Sequence, residues 1–253
     1  LAADIVWRDG QAAVSGLSLD SPGLKINADA RVTPGGPMAV RIPTAIAEGE
    51  GLRVLLALAP LPELKLEPQA NARVSIEDIE IGALENGKPG LVKGNIALHG
   101  IDLLRNDGAK ALSGISGDLV VTNNAFHITK LGSEGINVAG DIRPNLDDRT
   151  VTIDLTAQAE LTREKLALFL PLEQVQSLTG ALAVEKLAGT FGGGRPIPPD
   201  DLTAAIRLKD INAAIAAPQL PQPFVCKNLN GAVSFKEDVV RLEGLTAEGF
   251  KVD

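Results

Sequence analysis

The chain has 253 residues, 45% of them hydrophobic, yet only 3% are aromatic and tyrosine is absent, so a core must be built from Val, Ile, Leu and Ala across one or two ordinary domains. The formal charge of −8, without any run of Lys or Arg, excludes nucleic acid, because phosphate binding needs clustered cations and single strands need aromatic platforms.

In chain order, the first predicted element is a hairpin in "DIVWRDGQAAVSGLSLDSPGLKI", where Asp9-Gly10 is a favoured hairpin dipeptide. A helix-like run, Arg53–Ala59, ends at Pro60. A long strand follows in "ANARVSIEDIEIG": Val74 and Ile76 alternate, Glu77-Asp78 interrupts, and Ile79 and Ile81 resume. A polar step that flips the face predicts a bulge and a bent sheet. "NIALHGIDL", with Ile96 and Leu98, and "SGISGDLVV", with Leu119 and Val121, are further strands. "TNNA" at 122–125 turns the chain into the strand of Phe126 and Ile128.

"INVAGDI" (Ile136, Val138, Ile142) and "TVTIDLTAQA" (Val151, Ile153, Leu155, Ala157) alternate apolar and polar around the polar turn "RPNLDDR". Period two with one polar face marks a half-buried antiparallel strand. "LTREKLALFLP" predicts a helix that Thr162 caps and Pro171 ends. The strand "GALAVEKLAGTFG" repeats the shifted alternation with Leu182, Val184 and Leu187.

These elements recur. "GDLVVTNNAFHITKLGSEGINVA" lies over "GAVSFKEDVVRLEGLTAEGFKVD" without a gap, and the opening hairpin is a looser copy with a longer turn. Gly23 and Gly135 are 112 residues apart, and Gly135 and Gly249 are 114. A period this long and this regular is the signature of repeat architecture. The expected organisation is a first β-module at 1–116, a second at 117–230 and a truncated third at 231–253, with about six strands each. The sequence reads as an excised segment of a longer repeat protein.

Size then poses the functional question. Six strands span roughly 29 Å, whereas a ten-residue helix is roughly 15 Å long and 10 Å across. One helix per module cannot cover the apolar face, so the sheet either fills its own interior or keeps a trough for an apolar ligand.

No catalytic constellation is visible. His99 and His127 each sit on the polar side of a strand, and Cys226 is alone, which fits the cytosol or a periplasm. Zinc spacing and a nucleophile elbow are both lacking. Gly192-Gly193-Gly194-Arg195 lacks the Lys-Ser/Thr of a phosphate loop, and the pairs Asp147-Asp148 and Asp200-Asp201 read as acidic turns, unlike a calcium loop. Trp7 reads as packing, and the Leu166–Leu170 cluster as a plug on the concave side of the sheet rather than a membrane contact. The longest apolar run, Val54–Leu61, is far short of the ~20 residues that span a bilayer. The chain is read as a non-enzyme without cofactor or metal.

The hairpin followed by Leu-x(3)-Gly-apolar-x-apolar ("LGSEGINV", "LTAEGFKV", "LDSPGLKI"), and the short helix running into Pro and then "LTGALAVEKLAG", resemble the AsmA-like family of Gram-negative envelope proteins, particularly its YhdP and TamB branches. The similarity extends over essentially the whole chain as a pattern of spacing. It implies a mainly β fold with a few short helices, in which curved antiparallel sheets in tandem ~112-residue repeats form an elongated β-groove. It also implies a periplasmic location, an inner-membrane anchor outside this chain, and a role in lipid transport during outer-membrane biogenesis, as in repeating β-groove, bridge-like lipid transfer proteins. The expected ligand is a phospholipid or other acyl lipid, and the expected neighbours are repeat modules of the same chain and envelope proteins.

Strand alternation assigns the groove lining to Leu119, Val121, Phe126, Ile128, Ile136, Val138, Ile153 and Leu155, with Val74, Ile76, Ile96 and Leu98 in the first module. The competing expectation is a closed β-repeat acting as a structural or assembly module. A carbohydrate-binding β-protein would need aromatic platforms for sugar rings, which the absence of tyrosine disfavours.

Overall fold

The structure is a computed structural model. It describes residues 2–8, 11–32, 38–57, 64–83, 89–105, 108, 110–145, 147–163, 175–194, 196, 198–216, 222–248 and 250–252. These are almost entirely antiparallel strand, and chain contacts divide them into two units at Glu134/Gly135, inside the turn that follows Ser133.

The first unit holds β1 (Ala2–Arg8), β2 (Gln11–Ser21), β3 (Leu24–Val32), β4 (Ala39–Glu48), α1 (Gly49–Ala57), β5 (Leu64–Ala83), β6 (Pro89–Arg105), β7 (Lys110–Thr122) and β8 (Ala125–Ser133). The second holds β9 (Ile136–Asn145), β10 (Thr150–Thr162), β11 (Val175–Gly192), β12 (Thr203–Ile215), β13 (Phe224–Lys236), β14 (Val239–Ala247) and β15 (Phe250–Val252). Within each unit every strand pairs with its sequence neighbours. Among the described residues no pairing joins β1 to β8 or β9 to β15, so the strands of neither unit close into a barrel.

Local chemistry explains the meander. Pro22-Gly23 sits between β2 and β3 with Gly23 at φ +77°, the arrangement a type II turn requires. Asn123 and Asn124 (φ +49° and +61°) join β7 to β8, and Glu237 and Asp238 (φ +50° and +59°) join β13 to β14. Two successive positive φ values make the type I′ turn whose twist suits a hairpin. β1 and β2 meet at Arg8↔Gln11, while Asp9-Gly10 themselves lie outside the described residues.

The polar steps in the long strands are bulges. The β5–β6 register shifts between Glu77 and Glu80, where Asp78 takes φ +50°. The β11–β12 register shifts between Val184 and Lys186. Ile79 thereby reaches the same side as Ile76, packing its side chain against Gly94.

Two expectations need adjustment. The helix expected at Arg53–Ala59 starts four residues earlier, at Gly49. The turn expected over 143–149 is shorter, because Arg143, Pro144 and Asn145 pair with Thr152, Val151 and Thr150. The expected helix at 161–171 falls mostly outside the described residues, although Leu161 and Thr162 belong to β10.

Burial is uneven. In the first unit Leu52 of α1 is 1% exposed and packs with Ala47, Ala72 and Ile101. In the second unit, Thr150, Pro199 and Ile211 are the buried side chains among the described residues.

Candidate binding face

Cross-strand register assembles the apolar residues into rows. In the first unit one row runs Leu19–Ile26–Ala45–Ile76–Ile96–Leu119–Ile128 across β2 to β8, each residue paired with the next. In the second unit a row runs Val138–Ala157–Val184–Ile206–Val233–Leu242 across β9 to β14. Neither row contains a polar residue. Side chains on one side of paired strands lie next to one another, so each row is a continuous aliphatic stripe.

Flanking rows widen the stripes. Leu24–Ala47–Val74–Leu98 lies beside the first, and Gly94–Val121–Phe126 lies on its other flank. In the second unit Leu155–Leu187–Ala204–Phe235–Val240 accompanies the central row. Ile153 pairs with Ile142, and Ile136 with Ala159.

The sequence-predicted lining therefore falls into two groups. Val74, Ile76, Ile96, Leu98, Leu119, Val121, Phe126 and Ile128 share one side of the first unit's sheet. Ile136, Val138, Ile153 and Leu155 share one side of the second's. The predicted lining left out their partners Ile26, Leu182, Val184, Ile206, Leu208, Val233 and Phe235. The signal was the recurrence of "AIRLKDINA" and "GAVSF", which marked these strands as equivalents of Ile96 and Leu119.

Access differs along the stripes. Val121 and Ile128 are fully buried, at 0% and 3% exposure, while Ile76, Ile96, Leu119 and Phe126 are half-buried. In the second unit every member of the central row is at least partly exposed, and Leu242 reaches 54%.

The opposite side is polar. Asp29, Arg41, Glu80 and Lys93 form one cross-strand row, with ion pairs Arg41–Asp78 at 2.7 Å and Lys93–Glu80 at 3.3 Å. They border a concavity of about 700 Å³ whose mixed charge suits neither an acyl chain nor a simple anion. Arg207 meets Glu185 at 2.7 Å in the second unit. The hydrogen-bonded carboxylates raise the pKa of Arg41 and Arg207 further, so both guanidiniums stay charged at any pH the fold survives.

The remaining candidates have structural settings. His99 and His127 are exposed. Asp148 accepts from the amide of Thr150 at 3.1 Å and Asp201 from that of Thr190 at 3.0 Å, so both acids close turns. Gly193 donates to the carbonyl of Arg149 at 3.1 Å. Trp7 is 66% exposed on β1 rather than packed. The Leu166–Leu170 cluster lies outside the described residues. Among the described residues no group of three or more His, Cys, Asp or Glu is placed to hold a metal, and no helix is long and apolar enough to cross a membrane.

No protein-family model, curated protein or solved structure matches this chain. The functional reading rests on the chain's own residues.

Proposed function

We propose that this chain is a segment of a periplasmic envelope protein that binds phospholipid acyl chains along its apolar sheet face and supports lipid transport toward the outer membrane. The observation that carries the reading is the pair of unbroken, partly exposed aliphatic rows. Each buried methylene contributes about 0.8 kcal/mol, so an acyl chain is held there without polar contacts. A wall of Val, Ile, Leu and Ala offers no pocket that would trap one lipid, which suits a conduit.

Tandem repetition is part of the proposal. The central rows match strand for strand at a six-strand interval, from Ile26, Ala45, Ile76, Ile96, Leu119 and Ile128 to Val138, Ala157, Val184, Ile206, Val233 and Leu242. Small alanines fall at the same step in both. Repeats of this kind would carry the stripe from module to module as a groove.

The burial of Val121 and Ile128 favours a second reading, a structural or assembly module with a filled interior. Native mass spectrometry with lipid extraction separates the two, comparing wild type with Ile153→Asp and Leu155→Asp. Both sites are partly exposed, so the variants are expected to fold. Phospholipid that co-purifies with wild type and is lost from the folded variants supports binding. A folded wild type that carries none and takes up none supports the structural module.

A further inference from the structure

We infer that α1 is a fixed stop on the apolar face of the first unit, confining a bound acyl chain to the rows beyond it. The inference rests on the lipid-binding reading above. The helix lies over one margin of the stripe. Leu52 packs with Ala47, Ala72 and Ile101, and Leu24, Leu66, Val74 and Ile115 close around this cluster. The central row, one step along each strand, holds Ile76, Ile96 and Leu119, which remain half-exposed.

The attachment is rigid where it matters. Gly51 at the start of α1 presses its backbone on Gly23 in the β2–β3 turn. A Cβ on Gly51 would collide with the Gly23 carbonyl, and one on Gly23 with the Glu48 carbonyl. The Glu48 amide donates to that same Gly23 carbonyl at 2.8 Å. Leu52, the side chain that covers the margin, is the next residue after this clamp. A gate needs a pivot remote from the surface it uncovers, and here the clamp and the covering residue are adjacent. A helix of nine residues is also too short to hold itself in water, so it persists only while packed on the sheet.

The stop divides the predicted lining. Val74 packs against the Leu52 cluster under the helix, while Ile76, Ile96, Leu119 and Phe126 lie outside that cluster. A phosphatidylcholine carrying a photoactivatable diazirine in its acyl tail, bound to the full chain and mapped by peptide mass spectrometry, tests this. Adducts are expected at Ile76, Ile96, Leu119 or Phe126 and not above background at Leu66, Val74 or Ile115. Equal labelling of the two sets overturns the stop while leaving lipid binding intact. No adduct at any of the seven rejects a lipid on the first unit's face and the stop with it, and no adduct anywhere on the chain overturns the lipid reading as well. Leu52→Ala, checked for folding by circular dichroism, should let labelling spread to Val74 and Leu66. An unchanged pattern in the folded variant rejects the stop.

Discussion

The amide of Gly100 donates to Oγ of Ser116 across β6 and β7 at 3.1 Å, and at the matching place in the second unit the amide of Asp210 donates to Oδ1 of Asn230 at 2.9 Å. A second bond runs beside each: Gly114 to Oδ1 of Asp102 at 2.8 Å, and Asn228 to Oδ1 of Asn212 at 3.1 Å. All four donating residues have positive φ, and the ladders shift register there. Both strands of each pair bulge together, and a side chain from the facing strand accepts each amide that leaves the ladder. The bulges turn Ile101 and Ile211 inward, where both are buried.

Removing the acceptor should therefore cost as much in one unit as in the other. Ser116→Ala and Asn230→Ala are each expected to destabilise by about 1 kcal/mol, read from urea denaturation. Asn230→Ser should recover most of the loss, since serine fills this role in the first unit. Equal stability of Asn230→Ala and wild type would mean that water replaces the side chain.

Gly117 and Gly231 should tolerate no side chain. Their φ values are +156° and +144°, and an added Cβ would run into Lys130 and Leu131 at the first and Leu245 at the second. Backbone must move to make room, so Gly117→Ala and Gly231→Ala are expected to lose about 2 kcal/mol or more. Thermal melts of the two variants against wild type check this. The comparison site is Gly16, also at positive φ (+63°), whose Cβ would meet nothing, so Gly16→Ala reads the backbone strain without the collision.

β10 was legible because nothing interrupts its alternation, so Ile153, Leu155 and Ala157 could be assigned to one side from the sequence alone. β12 was not, because Asp210 switches the face between Leu208 and Ile211, and the group that stabilises the switch is Asn230 on another strand. The helix start was obscured for a similar reason. Gly49 and Gly51 argue against helix locally, yet Gly51 is needed for the contact with Gly23, which only the fold reveals. Pro144 looked like a turn residue and instead lies in β9, paired with Val151 of β10. Period and composition read well along one strand, and failed where a partner strand sets the conformation.

Exposure on β14 predicts how the protein behaves in solution. Val240 and Leu242 are 60% and 54% exposed, whereas Ile128, at the same step of the first unit's row, is 3% exposed. The double variant Val240→Thr, Leu242→Thr should reduce self-association in sedimentation velocity while shifting stability by no more than about 0.5 kcal/mol. Ile128→Thr should instead cost about 2 kcal/mol, from lost packing and a buried hydroxyl.

The largest effect is expected at Leu52. Truncating it removes the buried side chain by which α1 packs on Ala47, Ala72 and Ile101, and the neighbours cannot close the gap. Ala47 and Ala72 are too short, and the Gly51–Gly23 contact fixes the backbone height above them. A cavity that does not collapse adds to the transfer loss, so Leu52→Ala should cost about 3 kcal/mol. Val54, 57% exposed on the outer side, provides the control: Val54→Ala should change stability by no more than about 0.5 kcal/mol. Hydrogen exchange assigns the loss to its place. If α1 depends on Leu52, the variant's α1 amides should lose protection while those of β10 and β11 in the second unit keep theirs. Loss of protection throughout both units would instead make Leu52 a residue on which the whole chain depends.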